Sequence, residues 1–426
     1  MAAPDAPLPA SPSDEVPTSA RLSWIYRISA GVAIVGFTAG TFCSTVITTE
    51  YGGVAYGAMV TALWLILMIV GRLLVAPYLP LVVRKFGSRT TFLSVKIAAT
   101  VLWILIGLGF VTGVLSVPVL YATGPIFGAL TVFASTLSTL YTAAYVTGHQ
   151  MSGALARMAI VRGGAVAVGA LLAATIALTI GPAWGLVARG VFDIPFIFVI
   201  LLTRPGREPE APRANREVWR SLRADISSNP GLRRLIVLGM GLTIFAMPLT
   251  ELIVPITASL RPDGMVPGAA LLVAAASLGG SLSILPINAL QYRYAPGQAA
   301  AIMGASRGLA LVLFGLSAYL LTGAWELAVW AVIGLGFGMS RSASGALMAS
   351  AAVATVARQD SSRALVAFSF SCTLMSPVGL ILWSVLIDLV SVEAAVAVGA
   401  VGALAVSWWV FRRSAGDPIM PRPTPA

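Results

Sequence analysis

The chain has 426 residues, of which 58% are hydrophobic and only 10% are charged. Soluble globular domains carry roughly 25% charged residues, so this composition excludes a water-soluble protein and predicts one embedded in a membrane. The formal net charge of +11 would suggest a nucleic-acid partner for a soluble protein. Here the arginines lie between apolar segments, where the anionic cytoplasmic leaflet explains them, and we expect no nucleic-acid partner.

Residues 1–23 are rich in Pro, Ala and Ser and include acidic side chains, unlike a positively charged signal peptide. We therefore expect a disordered cytoplasmic N-terminal tail. Apolar segments of about 20 residues, the length that crosses a bilayer, then follow one another closely. They predict an all-α integral membrane protein with about twelve transmembrane helices. We place these helices at 28–48, 54–78, 91–113, 117–145, 157–181, 183–203, 234–257, 267–290, 298–322, 325–348, 364–389 and 392–412.

The segments between these spans alternate between basic and non-basic. Arg84, Lys85 and Arg89 follow the second span, whereas the opposite loops contain one basic residue, Arg261. Basic loops face the cytoplasm. Because arginine far outnumbers lysine, as in GC-rich bacterial sequences, we expect a multi-pass protein of a bacterial cytoplasmic membrane with both termini in the cytoplasm.

A hydrophilic linker at 203–233 separates six predicted spans from six. The spans before it cover 24–202 and those after it cover 234–412, and a cytoplasmic tail occupies 413–426. Two segments of equal length predict a duplicated six-helix bundle. The linker itself suits either a short helix on the membrane surface or a solvated connection.

The turn after the second span carries the most specific motif. It reads GRLLVAPYLPLVVRKFGSRT from Gly71 to Thr90. Its Lys85, Gly87 and Arg89 resemble the signature between helices 2 and 3 of the major facilitator superfamily, although Arg84 replaces the expected acidic residue. The resemblance covers nearly the whole chain and implies two six-helix bundles, a transporter that acts as a monomer, and a gating role for this turn.

The same resemblance implies that helices 1, 4, 7 and 10 line a central cavity. Aromatic, methionine and hydroxyl side chains on these helices suit an amphiphilic ligand. Each of them, taken singly, also suits helix packing or an interfacial belt. The candidates for the cavity are Phe37, Thr41, Phe127, Tyr141, Phe245, Met247 and Trp330.

Ionisable side chains inside a bilayer are costly and are therefore functional candidates. Arg189 and Asp193 are four residues apart in the sixth span, which would put them on one helix face. They form either an ion pair that holds helices together or a site for the substrate or a proton. Glu251 in the seventh span is either a proton carrier or an interfacial carboxylate. Arg341 in the tenth span either extends its side chain to the lipid headgroups or faces the cavity, where it would suit an anionic substrate or a carboxylate partner.

Enzymatic function is not expected. The chain has one histidine, His149, and lacks the spaced nucleophiles, metal ligands and phosphate-binding loops of catalytic motifs. Cys43 and Cys372 have no disulfide or metal spacing, so no cofactor is predicted. We expect a proton-coupled antiporter for efflux of a drug or a self-made metabolite, with multidrug resistance as one outcome, or alternatively proton-coupled uptake of a small metabolite.

Overall fold

The structure is a computed structural model that describes residues 20–144, 151–203, 229–354 and 361–416. Most of the predicted N-terminal tail, linker and C-terminal tail lie outside these residues. Because lipid offers the backbone no hydrogen bonds, a chain that crosses it must satisfy its own N–H and C=O groups. Accordingly, the described residues form helices and turns without a strand.

The helices are numbered here in chain order. They are α1 Ala20–Val75, α2 Leu79–Phe86, α3 Ser88–Val111, α4 Val117–Ala122, α5 Gly124–Ala144, α6 Met151–Thr179, α7 Ala183–Val191, α8 Ile194–Leu202, α9 Pro230–Phe245, α10 Pro248–Glu251, α11 Ile253–Leu260, α12 Met265–Ser281, α13 Ile284–Leu290, α14 Pro296–Leu320, α15 Ala324–Ala354, α16 Ser361–Leu389 and α17 Val392–Arg413. Short 3₁₀ turns lie at Ala76–Tyr78 and Pro262–Gly264.

The first helix combines the first two predicted spans. Gly53 interrupts it with φ +82°, a conformation that glycine adopts without steric cost. It divides α1 into a first arm (20–52) and a second arm (54–75). Gly87 has the same φ of +82° between α2 and α3, so the tight reversal predicted at this turn is present.

Among the described residues, ten helices are long and apolar enough to cross a membrane. The first of them runs from Leu22 to Phe86 and therefore contains two predicted spans. The predicted fourth span is represented by the shorter apolar helix Gly124–Ser138. The all-α membrane architecture is confirmed, and the exact number of twelve crossings stays a prediction.

Two pairs of glycines bring helices into close contact at related places. A Cβ at Gly71 of α1 would collide with the backbone of Pro125, and one at Gly128 of α5 with that of Met68. After the linker, Gly279 of α12 and Gly338 of α15 meet the backbones of Leu335 and Ala276 in the same reciprocal way. Small residues of this kind allow helix backbones to approach each other closely in membranes. Such a repeated contact between the second and fourth spans and between the eighth and tenth is expected of a duplicated unit.

The helices before the linker (the N-terminal half) and those after it (the C-terminal half) pack mainly among themselves. Between the halves, α1 packs against α11 and α16, and α6 packs against α12. The largest buried apolar cluster crosses this boundary, since it includes Phe42 and Ala58 of α1 together with Ile256 of α11. The contact with α11 joins the halves at the end of the bundle opposite the basic turn at Gly87.

We expect Gly128→Ala and Gly338→Ala each to destabilise the protein by about 1–3 kcal/mol, because the added methyl group forces two backbones apart. Gly164→Ala is the matched control, since its Cβ would meet no atom within 4 Å. Thermal unfolding of the purified protein in detergent measures the change. Unfolding of the Gly128 and Gly338 variants at the same temperature as the Gly164 variant would contradict the proposed close packing.

Candidate functional site

The seventh predicted span is a broken helix. It consists of α9, the single turn α10 and α11, with Pro248 at the start of α10. Leu252 leaves helical geometry at φ −103° and ψ 19°. Proline cannot donate a backbone hydrogen bond, so helix continuity is lost before the next turn. Glu251 is the last residue of α10 and lies at this break, where it is half-buried.

A cavity of about 290 Å³ lies between the two halves beside this break. Glu251 lies on one wall of it and Arg72 on another. The remaining wall residues are mostly apolar side chains, hydroxyl groups and one thiol. Among the described residues, the lining consists of Leu65, Met68, Ile69 and Arg72 of α1, Thr243 and Met247 beside Glu251, and Cys372, Thr373 and Ser376 of α16. Two of the predicted site residues, Glu251 and Met247, are thus brought together.

Two further arginines lie near Glu251 or near the cavity wall. Arg341 of α15 donates a hydrogen bond to the Thr250 hydroxyl at 3.1 Å and lies within electrostatic range of Glu251. Arg307 of α14 lies within electrostatic range of Arg341 and of Cys372 in the cavity wall. We call Arg72, Arg307 and Arg341 the arginine cluster.

A second predicted group assembles around Arg189, inside the N-terminal half. Its guanidinium carbon lies 3.8 Å from the ring centre of Trp103, 4.4 Å from that of Phe37 and 6.0 Å from that of Phe127. It also donates a hydrogen bond to the Thr41 hydroxyl at 3.2 Å. Aromatic faces attract cations most strongly where water is excluded, and Arg189 is only 6% exposed. This aromatic cage therefore stabilises the charge without a directly bonded carboxylate.

The expected ion pair between Arg189 and Asp193 is not formed. A turn at Phe192 and Asp193 separates α7 from α8, so the two side chains do not share one continuous helix face. The Asp193 carboxylate instead accepts a hydrogen bond from the Lys96 ammonium group of α3 at 3.0 Å, and both side chains are mostly buried. This pair joins α3 to the start of α8.

Three predicted cavity residues are packing residues instead. Tyr141 is 1% exposed and stacks on Phe92 at 5.3 Å. Trp330 is fully buried and its ring centre lies 5.1 Å from that of Phe314. Phe245 packs against α17. Aromatic residues on a helix suit packing and cavity walls equally, so the pattern alone did not separate the two.

The basic turn is anchored within its own half. Arg89 donates hydrogen bonds to the carbonyl oxygens of Ile200 and Leu201, at the C-terminal end of α8. A cation at this end satisfies free carbonyl groups and complements the helix dipole. Lys85 lies over the Phe86 ring at 5.3 Å. The hydrogen bonds of Arg89 thus remain in the N-terminal half, and the gating role of this turn stays a prediction.

Sequence reasoning passed over Arg72 as a cavity residue, Lys96 as the partner of Asp193, and Trp103. For the two cations a signal was present, because Arg72 and Lys96 both lie inside predicted spans, where a charge is costly. Trp103 gave no such signal. Its ring stacks on Phe127 with centres 4.0 Å apart, a contact between α3 and α5 that no local pattern encodes.

No protein-family model matches the chain, and no curated protein matches it significantly. Solved structures of transporters do match. The nucleoside transporter NupG has a TM-score of 0.71 at 10% identity, over 92% of this chain and 99% of NupG. The xylose transporter XylE from E. coli, in a partially occluded inward-open conformation, has a TM-score of 0.62 at 14% identity, over 92% of this chain and 98% of XylE.

A bacterial homologue of the iron transporter ferroportin matches with a TM-score of 0.68 in its inward-facing state, at 12% identity, over 93% of this chain and 99% of the homologue. Its outward-facing state gives 0.57 at 13% identity, over 92% and 99% of the two chains. These similarities confirm the predicted fold class, and the described helices have the major facilitator fold. At 10–14% identity, the similarity establishes the fold and assigns no substrate.

We expect Asp193→Asn to destabilise the protein by up to about 3 kcal/mol, because it leaves the charge of Lys96 unpaired in a mostly buried position. The double variant Lys96→Met with Asp193→Leu should regain most of this loss, since neither charge remains. A double-mutant cycle by thermal unfolding measures the coupling. A cycle in which Asp193 couples more strongly to Arg189 than to Lys96 would contradict the observed pairing.

Proposed function

We propose that this protein is a secondary active transporter that exports a hydrophobic or amphiphilic small molecule, such as a drug or a self-made metabolite, in exchange for protons. Its fold supports transport, because the similar structures are a nucleoside transporter, a xylose transporter and a bacterial homologue of an iron transporter. Their different cargoes also illustrate that a fold does not specify a substrate. The proposal involves no enzymatic step, and the sequence lacks a phosphate-binding motif for ATP, so an ion gradient supplies the energy.

The observation that carries the proposal is the position of Glu251. It lies at the break in the seventh span, on the wall of the cavity between the halves. Contact with water and with Arg341 favours the charged carboxylate, whereas withdrawal of both favours the protonated form. A carboxyl group whose surroundings alternate in this way takes up a proton on one side of the membrane and releases it on the other.

The contacts between the halves are compatible with a mechanism of alternating access. These contacts are concentrated on α1 and α6 of the N-terminal half and on α11, α12 and α16 of the C-terminal half. Transporters built from two repeats expose a midplane site to each side by rocking one repeat against the other. Asp193 is a weaker candidate for proton coupling, because its carboxylate is already paired with Lys96.

The proposed orientation places both termini and the basic turns in the cytoplasm of a bacterium, with the protein in its cytoplasmic membrane. On the opposite side, the lone basic loop residue Arg261 pairs with Glu326 at 2.8 Å. That side thus has a single basic loop residue, in agreement with the rule that basic residues are in excess in cytoplasmic loops. We further propose that the protein acts as a monomer.

The test measures accumulation of a panel of dyes and antibiotics in cells that lack their main exporters, with and without this protein. We expect lower accumulation of at least one compound, and loss of the difference when a protonophore collapses the gradient. Glu251→Gln should abolish the effect at equal expression, because the amide carries no proton. Glu393→Gln is the matched control, since Glu393 is exposed in the first turn of α17, and this variant should export normally.

Equal export by the Glu251 and Glu393 variants would contradict the coupling role. Higher accumulation in cells with the protein would indicate uptake instead of export. If the protein is well expressed and excludes none of the compounds, multidrug export is contradicted.

A further inference from the structure

Arg307 is a buried cation without a hydrogen-bond acceptor among the described residues. It is 6% exposed, and its Nε is enclosed and unpaired. Its one favourable aromatic contact is with the Phe337 ring, at 5.6 Å. A charged donor removed from water and left without an acceptor costs several kcal/mol. A protein that retains such a group gains from a bound anion that satisfies it.

Two other arginines, Arg72 and Arg341, also favour a bound anion. The Nε of Arg72, on the cavity wall, is also enclosed without a partner, and Arg341 binds only a neutral hydroxyl. Glu251 is the one carboxylate among the described residues that line this cavity. Arg72 is the one arginine among the described lining residues, and Arg341 and Arg307 lie near the lining, within electrostatic range of Glu251 and of Cys372. Together with Glu251 these three arginines leave an excess of two positive charges around the cavity, which attracts anions and repels cations.

Apolar side chains line the cavity from both halves. Leu65, Met68 and Ile69 of α1 lie on the same wall as Arg72 and face the region of Met247 across the gap between the halves. Thioether and branched side chains accommodate an apolar body of variable shape. A volume of about 290 Å³ falls at the lower end of the usual range for ligand pockets, roughly 300–1,000 Å³, and favours a small ligand.

We infer that the cavity binds amphiphilic anions. The carboxylate or phosphate group of such a ligand would lie at the arginine cluster, and its apolar or aromatic body would lie against the side chains of Leu65, Met68 and Met247. Guanidinium groups recognise both kinds of anion through paired N–H donors. This inference rests on the proposed function and narrows its substrate to one charge class. It predicts that cationic compounds bind poorly, although many amphiphilic drugs are cations.

The experiment is equilibrium binding by calorimetry to the full chain in phosphatidylcholine nanodiscs. The probes are naphthoate, naphthamide and naphthylmethylamine, which share a ring system and differ in charge. We expect naphthoate to bind about tenfold or more tightly than the neutral amide, as a charge-assisted hydrogen bond implies, and the amine to bind more weakly still. Arg307→Gln should abolish this preference.

Arg412→Gln is the control, because Arg412 is exposed at the end of α17 over the Trp408 ring. It should retain the full preference for naphthoate. Thermal unfolding of each variant establishes that it is folded, and Arg72→Gln replaces Arg307→Gln if the latter is not. Absence of naphthoate binding, equal binding of all three probes, or a preference that survives Arg307→Gln and Arg72→Gln would overturn the inference.

The anion has two possible sources, and the lipid composition distinguishes them. Weaker naphthoate binding in nanodiscs that contain phosphatidylglycerol would identify a lipid headgroup as a competitor for the same anion site. Unchanged binding would identify a soluble ligand, and both outcomes support an anion site. Absence of a naphthoate preference in the unaltered protein, together with export that depends on Glu251, would reject the anion inference and leave the proposed function standing.

Discussion

The hydrocarbon interior of a bilayer offers no hydrogen bonds to a backbone and no water to a charge, and the rest of this structure depends on that constraint. The first consequence is the helical fold, because a helix satisfies its own N–H and C=O groups. The second is that every charge within the bundle must be stabilised by a neighbour. The third is that a break in a helix must lie inside the protein or against a cavity, as at Glu251.

The charges inside the bundle meet this requirement in three different ways. Lys96 and Asp193 neutralise each other. Arg189 has no carboxylate bonded to it and is stabilised by aromatic faces and one hydroxyl. Arg307 has an aromatic contact but no acceptor for its Nε. The first two arrangements are complete within the N-terminal half, so they suit structural roles. The third is incomplete, and it lies beside the cavity.

The distribution of close contacts separates rigid parts from parts that can move. Reciprocal glycine contacts join α1 to α5 and α12 to α15, each within one half. Such backbone contacts leave little freedom to slide. Between the halves, the contacts are carried by fewer helices and surround a cavity whose wall includes Glu251 at the break in the seventh span. The proposed proton-binding residue Glu251 thus lies where movement of the halves would change its surroundings.

The sequence by itself determined that the chain is an all-α membrane protein and approximately where its helices lie. Length and hydrophobicity suffice for these conclusions because the bilayer fixes the length of a span and excludes other backbone structures. The sequence also singled out Glu251, Arg341 and Arg189 as candidates, since each is an ionisable group in an apolar span, and it left a structural and a functional role open for each. Only the tertiary structure decided the partners. Asp193 pairs with Lys96 and not with Arg189, and Trp330 packs in the core while Met247 lines the cavity. These outcomes depend on how helices that are far apart in the chain rotate and approach one another. Local spacing in the sequence carries no information about that.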